Sequence, residues 1–468
     1  MHIHMIGVCG VGMGSLAGML AAGGNTVSGS DSAMYPPMNE KLPAWGVTIY
    51  DGYDADNVGR PNLVIIGNAI SRGNPEVEYV LDHRIEYMSM AQALYRFFLK
   101  DKEVVAVSGT HGKTTTTALL AWILDRAGLD PSFFVGGVAE NYDANFRLGE
   151  GKYFVIEGDE YDSAFFEKIP KFIMYRPRHC ILTSLEFDHA DIFRDIEELE
   201  LWFSRLLRLV PSNGTVVYSS IYPHLKRVME NCYSHSYSFG TTGSDYIYTF
   251  TKNGKNDIIE LRGRGLDNPL RISTGLFGDF NYQNISAAAI MALRLGVPEE
   301  VIVEAVASFK GVQRRQRLLY QSDYLYIYED FAHHPTAIRQ MLAAAACRYP
   351  DAELVAVYEP RSATSRRNTF QAVLWDAFGS AHSVYIREPS MLEKIPGAER
   401  IDMNEVVSRI KDSGKPAVLL PDGDAIVNDI VSLIKDDPRK ARVIVIMSNG
   451  GFDGIFKSIV SAVEDIYG

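Results

Sequence analysis

The sequence predicts an α/β protein of three domains, with a doubly wound parallel unit at each end and a central unit carrying added β structure. Three observations carry this. An apolar run at residues 2–8 enters the glycine turn Gly7-Val8-Cys9-Gly10-Val11-Gly12-Met13-Gly14 and then an apolar helix to about residue 22. The same order of strand, glycine turn and helix returns at residues 103–124. From residue 324 onward, β-branched strands alternate with helices. At roughly 150 residues per domain, 468 residues hold about three.

Composition narrows the class. Apolar residues make up 47% and charged residues 22%, as in a soluble globular protein. A net charge of −12 without a basic stripe argues against a nonspecific nucleic-acid binder. Cys9, Cys180, Cys232 and Cys347 lie far apart and form no CxxC pair, so reduced thiols and a cytoplasmic location are expected, with Cys9 and Cys180 as small core fillers. No apolar run approaches the roughly 18 residues of a membrane span. The first residues lack the basic segment of a signal peptide. Neither membrane insertion nor nucleic-acid binding is expected.

In the first domain, residues 2–8 and 26–30 read as parallel strands around a turn of pyrophosphate size. The turn departs from G-x-G-x-x-G, because Cys stands at position 9, and a turn needed only for packing is the alternative. Asp31, in Ser28-Gly29-Ser30-Asp31, could meet a ribose hydroxyl or cap the next segment. Residues 62–67 form another buried strand, followed by Asn68-Ala69-Ile70-Ser71-Arg72-Gly73-Asn74-Pro75-Glu76. Asn74 as N-cap and Pro75 in the first turn start a helix. The same place, beyond a parallel strand, is where α/β sheets bind ligands. A helix over about 90–99 and the polar Lys100-Asp101-Lys102 close this domain at residue 100.

The central domain, residues 101–311, is built on Gly109-Thr110-His111-Gly112-Lys113-Thr114-Thr115 between an apolar strand and an Ala/Leu helix. Glycines admit phosphate oxygens to backbone N–H groups, and the helix start adds donors and a positive dipole end. Lys113 supplies a point charge, and Thr114 a hydroxyl for magnesium. This is a short form of the phosphate loop, since Val stands at 107. An ordinary Gly/Thr turn is the bland alternative. The strand at 153–156 ends in Glu157-Gly158-Asp159-Glu160-Tyr161-Asp162, whose four carboxylates call for a cation or for solvent. Beside a phosphate loop, magnesium on Glu157 is the natural choice. A further strand, 179–184, leads to His189 among acids. Residues 211–276 read as β-rich. Asn281 and Asn284 precede a helix at 285–295 and could meet a purine edge or cap the helix. After a helix at 298–309, Gly311 is a C-cap and Arg314-Arg315 are available to anions.

The last domain, residues 312–468, has strands at 324–328, 354–358, 382–386, 417–420 and 443–447, with helices between them and one at about 455–467. The first strand runs into Glu329-Asp330-Phe331-Ala332-His333-His334-Pro335. The loop Tyr358-Glu359-Pro360-Arg361-Ser362 continues basic and hydroxyl-rich, suited to a carboxylate-bearing substrate or to capping the next helix.

Taken in this order, the phosphate loop, Glu157, His189, Asn281, Asn284, Arg314-Arg315 and Asp330-Phe331-Ala332-His333-His334-Pro335 resemble the Mur ligase family over the whole chain. The resemblance implies Rossmann-like first and last domains around a P-loop ATPase-like centre, and a cell-wall ligase using ATP and Mg2+. It implies that Gly109, Thr110, His111, Gly112, Lys113, Thr114, Thr115, Asn281, Arg315, Asp330 and His333 bind ATP. Thr114, Glu157 and His189 would hold magnesium, and Lys113, Glu157 and His189 would serve catalysis. UDP would lie on Gly10, Val11, Gly12, Met13, Ser30, Asp31, Ala69, Ile70 and Asn74, and the peptide on Arg361 and Ser362. The muramate carboxylate would become an acyl phosphate and then an amide.

Glu157-Gly158-Asp159-Glu160-Tyr161-Asp162 and Glu359-Pro360-Arg361-Ser362 are similar to the branch that attaches L-alanyl-γ-D-glutamyl-meso-diaminopimelate to UDP-N-acetylmuramate. The branch that adds L-alanine is the alternative, and it shares the Asn-Pro-Glu segment. The carbamylated lysine of several members has no counterpart, because residues 196–209 contain no lysine. Outside the family, a nicotinamide-dependent oxidoreductase or a nucleotide-gated binding protein would account for parts of the pattern. Cys9 in the glycine turn and the carboxylate and histidine loops speak against the first, and the second does not need the acidic loop and Lys113 together.

Overall fold

The computed structural model describes residues 1–468 except 35–37, 188–191, 241, 255, 363 and 468. Three sheets organise the chain, and each takes one of the three segments with the strongest strand–turn–helix patterns. The first contains β1 (His2–Ile6), β2 (Thr26–Asp31), β3 (Thr48–Asp51), β4 (Leu63–Ile66) and β5 (Tyr87–Ser89), all parallel in the order β3-β2-β1-β4-β5. β1 and β4 are nearly continuous apolar runs because helices cover both faces of a parallel sheet.

The central sheet has ten strands. Its parallel heart is β6 (Glu103–Ser108), β7 (Ser132–Ala139), β9 (Tyr153–Gly158), β10 (His179–Leu182), β11 (Thr215–Ser219) and β12 (His235–Gly240). β8 (Ala144–Arg147) pairs antiparallel at one edge. At the other, β13 (Tyr246–Asn253), β14 (Asn256–Gly263) and β15 (Leu270–Thr274) form a meander, which accounts for the β-rich stretch expected at 211–276.

The last sheet runs β16-β17-β21-β18-β19-β20, with β16 (Arg317–Gln321), β17 (Leu325–Asp330), β18 (Glu353–Tyr358), β19 (Ser383–Arg387), β20 (Ala417–Leu420) and β21 (Arg442–Met447). Only β16 is antiparallel. Two expectations need correction here. β16 was not anticipated, because its side chains are half to fully exposed and carry no apolar alternation. Among the described residues the connection from β18 to β19 contains no α-helix; short 3-10 turns at Asn368–Phe370 and Trp375–Phe378 replace it.

One apolar cluster runs without a break from the first sheet into the central one, joining Ile3 and Leu16 to Phe154 and Cys180. Cys9 and Cys180 are buried thiols within it. The last sheet has separate clusters on its two faces. Residues 311–313 still pair with the central domain through Glu140 N to Gly311 O (3.1 Å) and Gln313 N to Val138 O (2.9 Å). Arg314 then enters the last domain, donating to Glu329 Oε1 at 3.0 Å and Ser448 O at 3.1 Å. Among the described residues no helix is long and apolar enough to cross a membrane.

Candidate functional site

The turn after β6 is shaped by two glycines with positive φ, Gly109 (+141°) and Gly112 (+83°). A Cβ at Gly112 would strike Asn284 Oδ1. Gly112 is the N-cap of the helix Lys113–Arg126. Its neighbours are stitched to the end of β10. Thr110 Oγ1 donates to Glu186 O (3.0 Å) and accepts Glu186 N–H (2.9 Å), while His111 N–H donates to Ser184 Oγ (2.7 Å). Lys113 Nζ curls back over the turn, donating to Gly109 O (2.6 Å), Thr110 O (3.3 Å) and Glu160 (2.8 Å). Burial opposes the Lys113 charge, but Glu160, Asp159 and Glu157 together outweigh it and hold the ammonium above the usual lysine range.

β9 brings Glu157 to the same place. Its carboxylate accepts the Thr114 hydroxyl at 3.0 Å and the Gly136 N–H at 2.7 Å. Arg315 reaches Thr114 Oγ1 at 3.4 Å from the far side and lies over the Phe331 ring, 4.4 Å from its centroid. Burial pulls the Arg315 guanidinium down, with Asp330 and Glu157 opposing. Asp159 is tied to Lys171 at 2.7 Å. The centre is therefore a ring of hard oxygens around Thr114, faced by two cations.

Thr110–Thr115, Glu157, Asn281, Arg315, Asp330 and His333 line one cavity of about 330 Å³ between the central and last domains. Asn281 and Asn284 lie in the first turns of the helix Asp279–Arg294 rather than ahead of it. Asn281 is buried, and its amide donates to Phe277 O and Gln316 Oε1, both at 3.1 Å. Asp330 accepts Gln316 N–H (2.7 Å) and Ala332 N–H (2.8 Å), so it shapes the chain where it enters the last domain. Burial pushes its carboxyl upward. His333 Nδ1 sits 3.0 Å from Phe331 O. His189 lies outside the described residues.

Several contacts around the cavity had no local signal. Glu160 reaches Lys113 from 47 positions away, and Glu186 contacts His111 Nε2 (2.8 Å) from 75. His334 caps the helix Pro335–Arg348 by accepting Thr336 N–H, and its ring lies 5.1 Å from that of His111. The doubled histidine at 333–334 was the only sign of it.

The candidate nucleotide residues of the first domain gather at the strand ends of the first sheet, apart from that cavity. Gly10 caps the helix Val11–Ala22, which begins with Val11, Gly12 and the buried Met13. Asp31 Oδ2 accepts Cys9 N–H at 2.8 Å, and Ile70 packs on Gly7. Ala69 adjoins Ile70 in the segment between β4 and the helix Pro75–Asp82. The Ser30 hydroxyl is fully buried and donates to Glu76. Asn74 takes the capping role, accepting Glu76 N–H at 2.9 Å and Val77 N–H at 3.3 Å. In the last domain, the Arg361 side chain lies against Gly450. Ser362 Oγ closes a turn with Ser365 N–H at 2.9 Å, and among the described residues no α-helix follows for it to cap.

Residues 2–101 match the model of the Mur ligase family, catalytic domain, and residues 107–292 match that of the Mur ligase middle domain. The chain belongs to the Mur ligase family. It is 38% identical to the UDP-N-acetylmuramate–L-alanyl-γ-D-glutamyl-meso-2,6-diaminoheptandioate ligase of Escherichia coli K12, across 98% of both chains. A UDP-N-acetylmuramate–L-alanine ligase of Acetivibrio thermocellus is 30% identical over 96% of this chain and 93% of its own. Among solved structures, the murein peptide ligase of Psychrobacter arcticus superposes with a TM-score of 0.71 at 34% identity, covering 100% of both chains. The three-domain α/β architecture is thus that of a Mur ligase.

Proposed function

We propose that this Mur ligase joins the carboxylate of UDP-N-acetylmuramate to the tripeptide L-alanyl-γ-D-glutamyl-meso-diaminopimelate, consuming ATP and releasing ADP and phosphate. The carrying observation is the 38% identity, end to end, to a relative named for that reaction. Addition of L-alanine is the second reading, favoured by the 30% identity to an enzyme named for it. The first reaction recycles peptidoglycan fragments and the second builds new ones, both in the cytoplasm, where ATP is available.

In this reading residues 1–100 hold the muramyl nucleotide, 101–311 hold ATP and 312–468 receive the peptide. ATP lies along Gly109–Thr115. Lys113 and Arg315 face its phosphates and offset the charge that grows as the muramate carboxylate attacks the γ-phosphorus. ADP departs, leaving an acyl phosphate. The peptide amine then attacks the acyl carbon, an amide bond forms, and phosphate carries away the electron pair of the broken C–O bond. Thr114 and Glu157 offer hydroxyl and carboxylate oxygens 3.0 Å apart, a donor set that fits Mg2+. When bound there, magnesium supplies charge neutralisation for the phosphates. Asn281, Asp330 and His333 are assigned to the nucleoside end, and Arg361 with Ser362 to the peptide.

The test is phosphate release with ATP, magnesium and UDP-N-acetylmuramate, adding either amine. Release with the tripeptide supports the proposal. Release with L-alanine alone transfers it to the second reading, and release with neither overturns both.

A further inference from the structure

Glu76 has no part in the steps above, yet it is the most heavily bonded carboxylate of the first domain's interior. It is the second residue of the helix Pro75–Asp82, and its side chain turns back beneath the sheet to complete burial (0% exposed). Oε2 accepts the Ser30 hydroxyl and faces His4 Nε2 at 3.3 Å. Oε1 accepts Asp54 N–H at 3.2 Å and an Asn57 amide hydrogen at 3.0 Å. One carboxylate therefore ties β1, the end of β2, the turn after β3 and its own helix. His4 is held from its other side by Ser28 Oγ at 3.0 Å.

Stability alone is a poor reason for this arrangement. A buried carboxylate with its polar partners is commonly no more stabilising than apolar residues of the same volume. The converging donors offset the cost of burial and fix geometry. What they fix is the strand-end pocket. The Ser30 carbonyl accepts Gly7 N–H (2.8 Å) and Val8 N–H (3.1 Å), and Asp31 next to it accepts Cys9 N–H (2.8 Å). Ile70 packs on the same Gly7. The glycine turn, the Ser30–Asp31 corner and the segment after β4 thus meet at one spot, and Glu76 holds that corner through the Ser30 hydroxyl.

We infer that Glu76 is a positioning residue for the muramyl nucleotide: acting through Ser30, it sets the glycine turn and Asp31 in the geometry that receives the pyrophosphate-bearing substrate. The inference rests on the placement of that substrate at the ends of the first sheet. A merely structural Glu76 would lower stability and affect both nucleotides alike; a positioning Glu76 separates them.

The experiment is steady-state phosphate release by the full chain with ATP, magnesium, UDP-N-acetylmuramate and the tripeptide, comparing wild type with Glu76→Gln. Glutamine keeps the size but turns one acceptor into a donor. The expected result is a rise of about tenfold in KM for UDP-N-acetylmuramate, with KM for ATP and kcat within about twofold of wild type. Asn57→Ala, which loosens the carboxylate from its partly exposed side, is expected to raise the same KM by about threefold, and it decides the matter if Glu76→Gln does not fold. An unchanged muramyl KM in both variants, or equal rises for both nucleotides, overturns the inference and leaves the proposed function standing. Absence of turnover by the wild type with either amine overturns that function as well.

Discussion

Lys113 is the residue on which the proposed chemistry turns, and its surroundings explain why it was legible while the pairing with its neighbours was not. Strand, glycines, lysine and hydroxyl follow one another within a few positions, so local order alone locates the phosphate loop. Glu160 and Arg315 stand out in an acidic run and an arginine pair, but their contacts with the loop, like that of Glu186, join distant positions that no local pattern connects. Lys113→Ala removes the point charge facing the phosphates, and phosphate release is expected to fall by roughly 100-fold or more; activity near wild type would remove Lys113 from the mechanism. A second residue sets an acid limit on the fold. His179, on β10 at the end away from the cavity, has Nε2 3.7 Å from Glu103, beyond hydrogen-bond reach, and burial outweighs that carboxylate and lowers the ring's pKa from 6.5 to about 4. The folded chain keeps this ring neutral while the unfolded chain protonates it, so there is no effect above pH 6.5 and a growing loss below it. The loss accumulates at about 1.4 kcal/mol per pH unit until the folded ring itself protonates. His179→Phe is expected to flatten the dependence of melting temperature on pH between 6.5 and 4. An identical slope in wild type and variant would assign the acid sensitivity elsewhere.

At the scale of elements, the reading from sequence succeeded where apolar runs were long and bounded by glycine or proline. β1, β4, β6 and β21 are such runs, and the helix starts at Pro75 and Lys113 carry their own caps. It failed where tertiary context decides. β16 is a half-exposed edge strand held by pairing with β17, and the β18–β19 connection is a loop of turns whose shape comes from contacts such as Arg366 N–H to Ser362 O. The candidate site divides in the same way. The loop residues of the cavity were visible, whereas the burial of Ser30 and the helical position of Asn281 were not. The phosphate-loop element also makes a sharp prediction. Gly112→Ala forces a side chain into a left-handed conformation and onto Asn284, at an expected cost of about 1–3 kcal/mol from backbone strain alone. The variant should melt earlier and lose ATP affinity measured by calorimetry, whereas wild-type affinity would mean that the turn has room to adjust.

At the scale of the molecule, the three domains are not equally joined. The first and central sheets share one continuous apolar cluster, reinforced by Trp45 edge-on to Phe146 (5.4 Å between centroids) and by the bond from Asn145 to Ser15. The chain also crosses back from the acidic loop, where Asn68 Nδ2 donates to Asp162 O at 2.5 Å and Phe166 meets Tyr87 edge-on. The last domain has its own clusters, one of which takes in a single buried side chain of the centre, Phe277 edge-on to Tyr328 (5.6 Å); polar links such as Arg348 to Asp257 (3.4 Å) and Lys252 to Cys347 O (2.7 Å) add to it, beside a cleft lined by the candidate ATP residues. Shared apolar burial makes units unfold together, and polar contacts over a cavity do so only weakly. Scanning calorimetry should therefore resolve two transitions, a larger one for the first two domains and a smaller one for the last. At about 0.7 kcal/mol per residue near 60 °C, the smaller transition should carry roughly 100 kcal/mol. If ATP binds as proposed, a non-hydrolysable analogue would bridge the cleft, so at 100 times its Kd it should add about 2.7 kcal/mol to the units that hold it and draw the two transitions together. A single transition without nucleotide would mean that the cleft is welded as firmly as the shared core. Closure over ATP would then require local rearrangement within the last domain rather than movement of the whole.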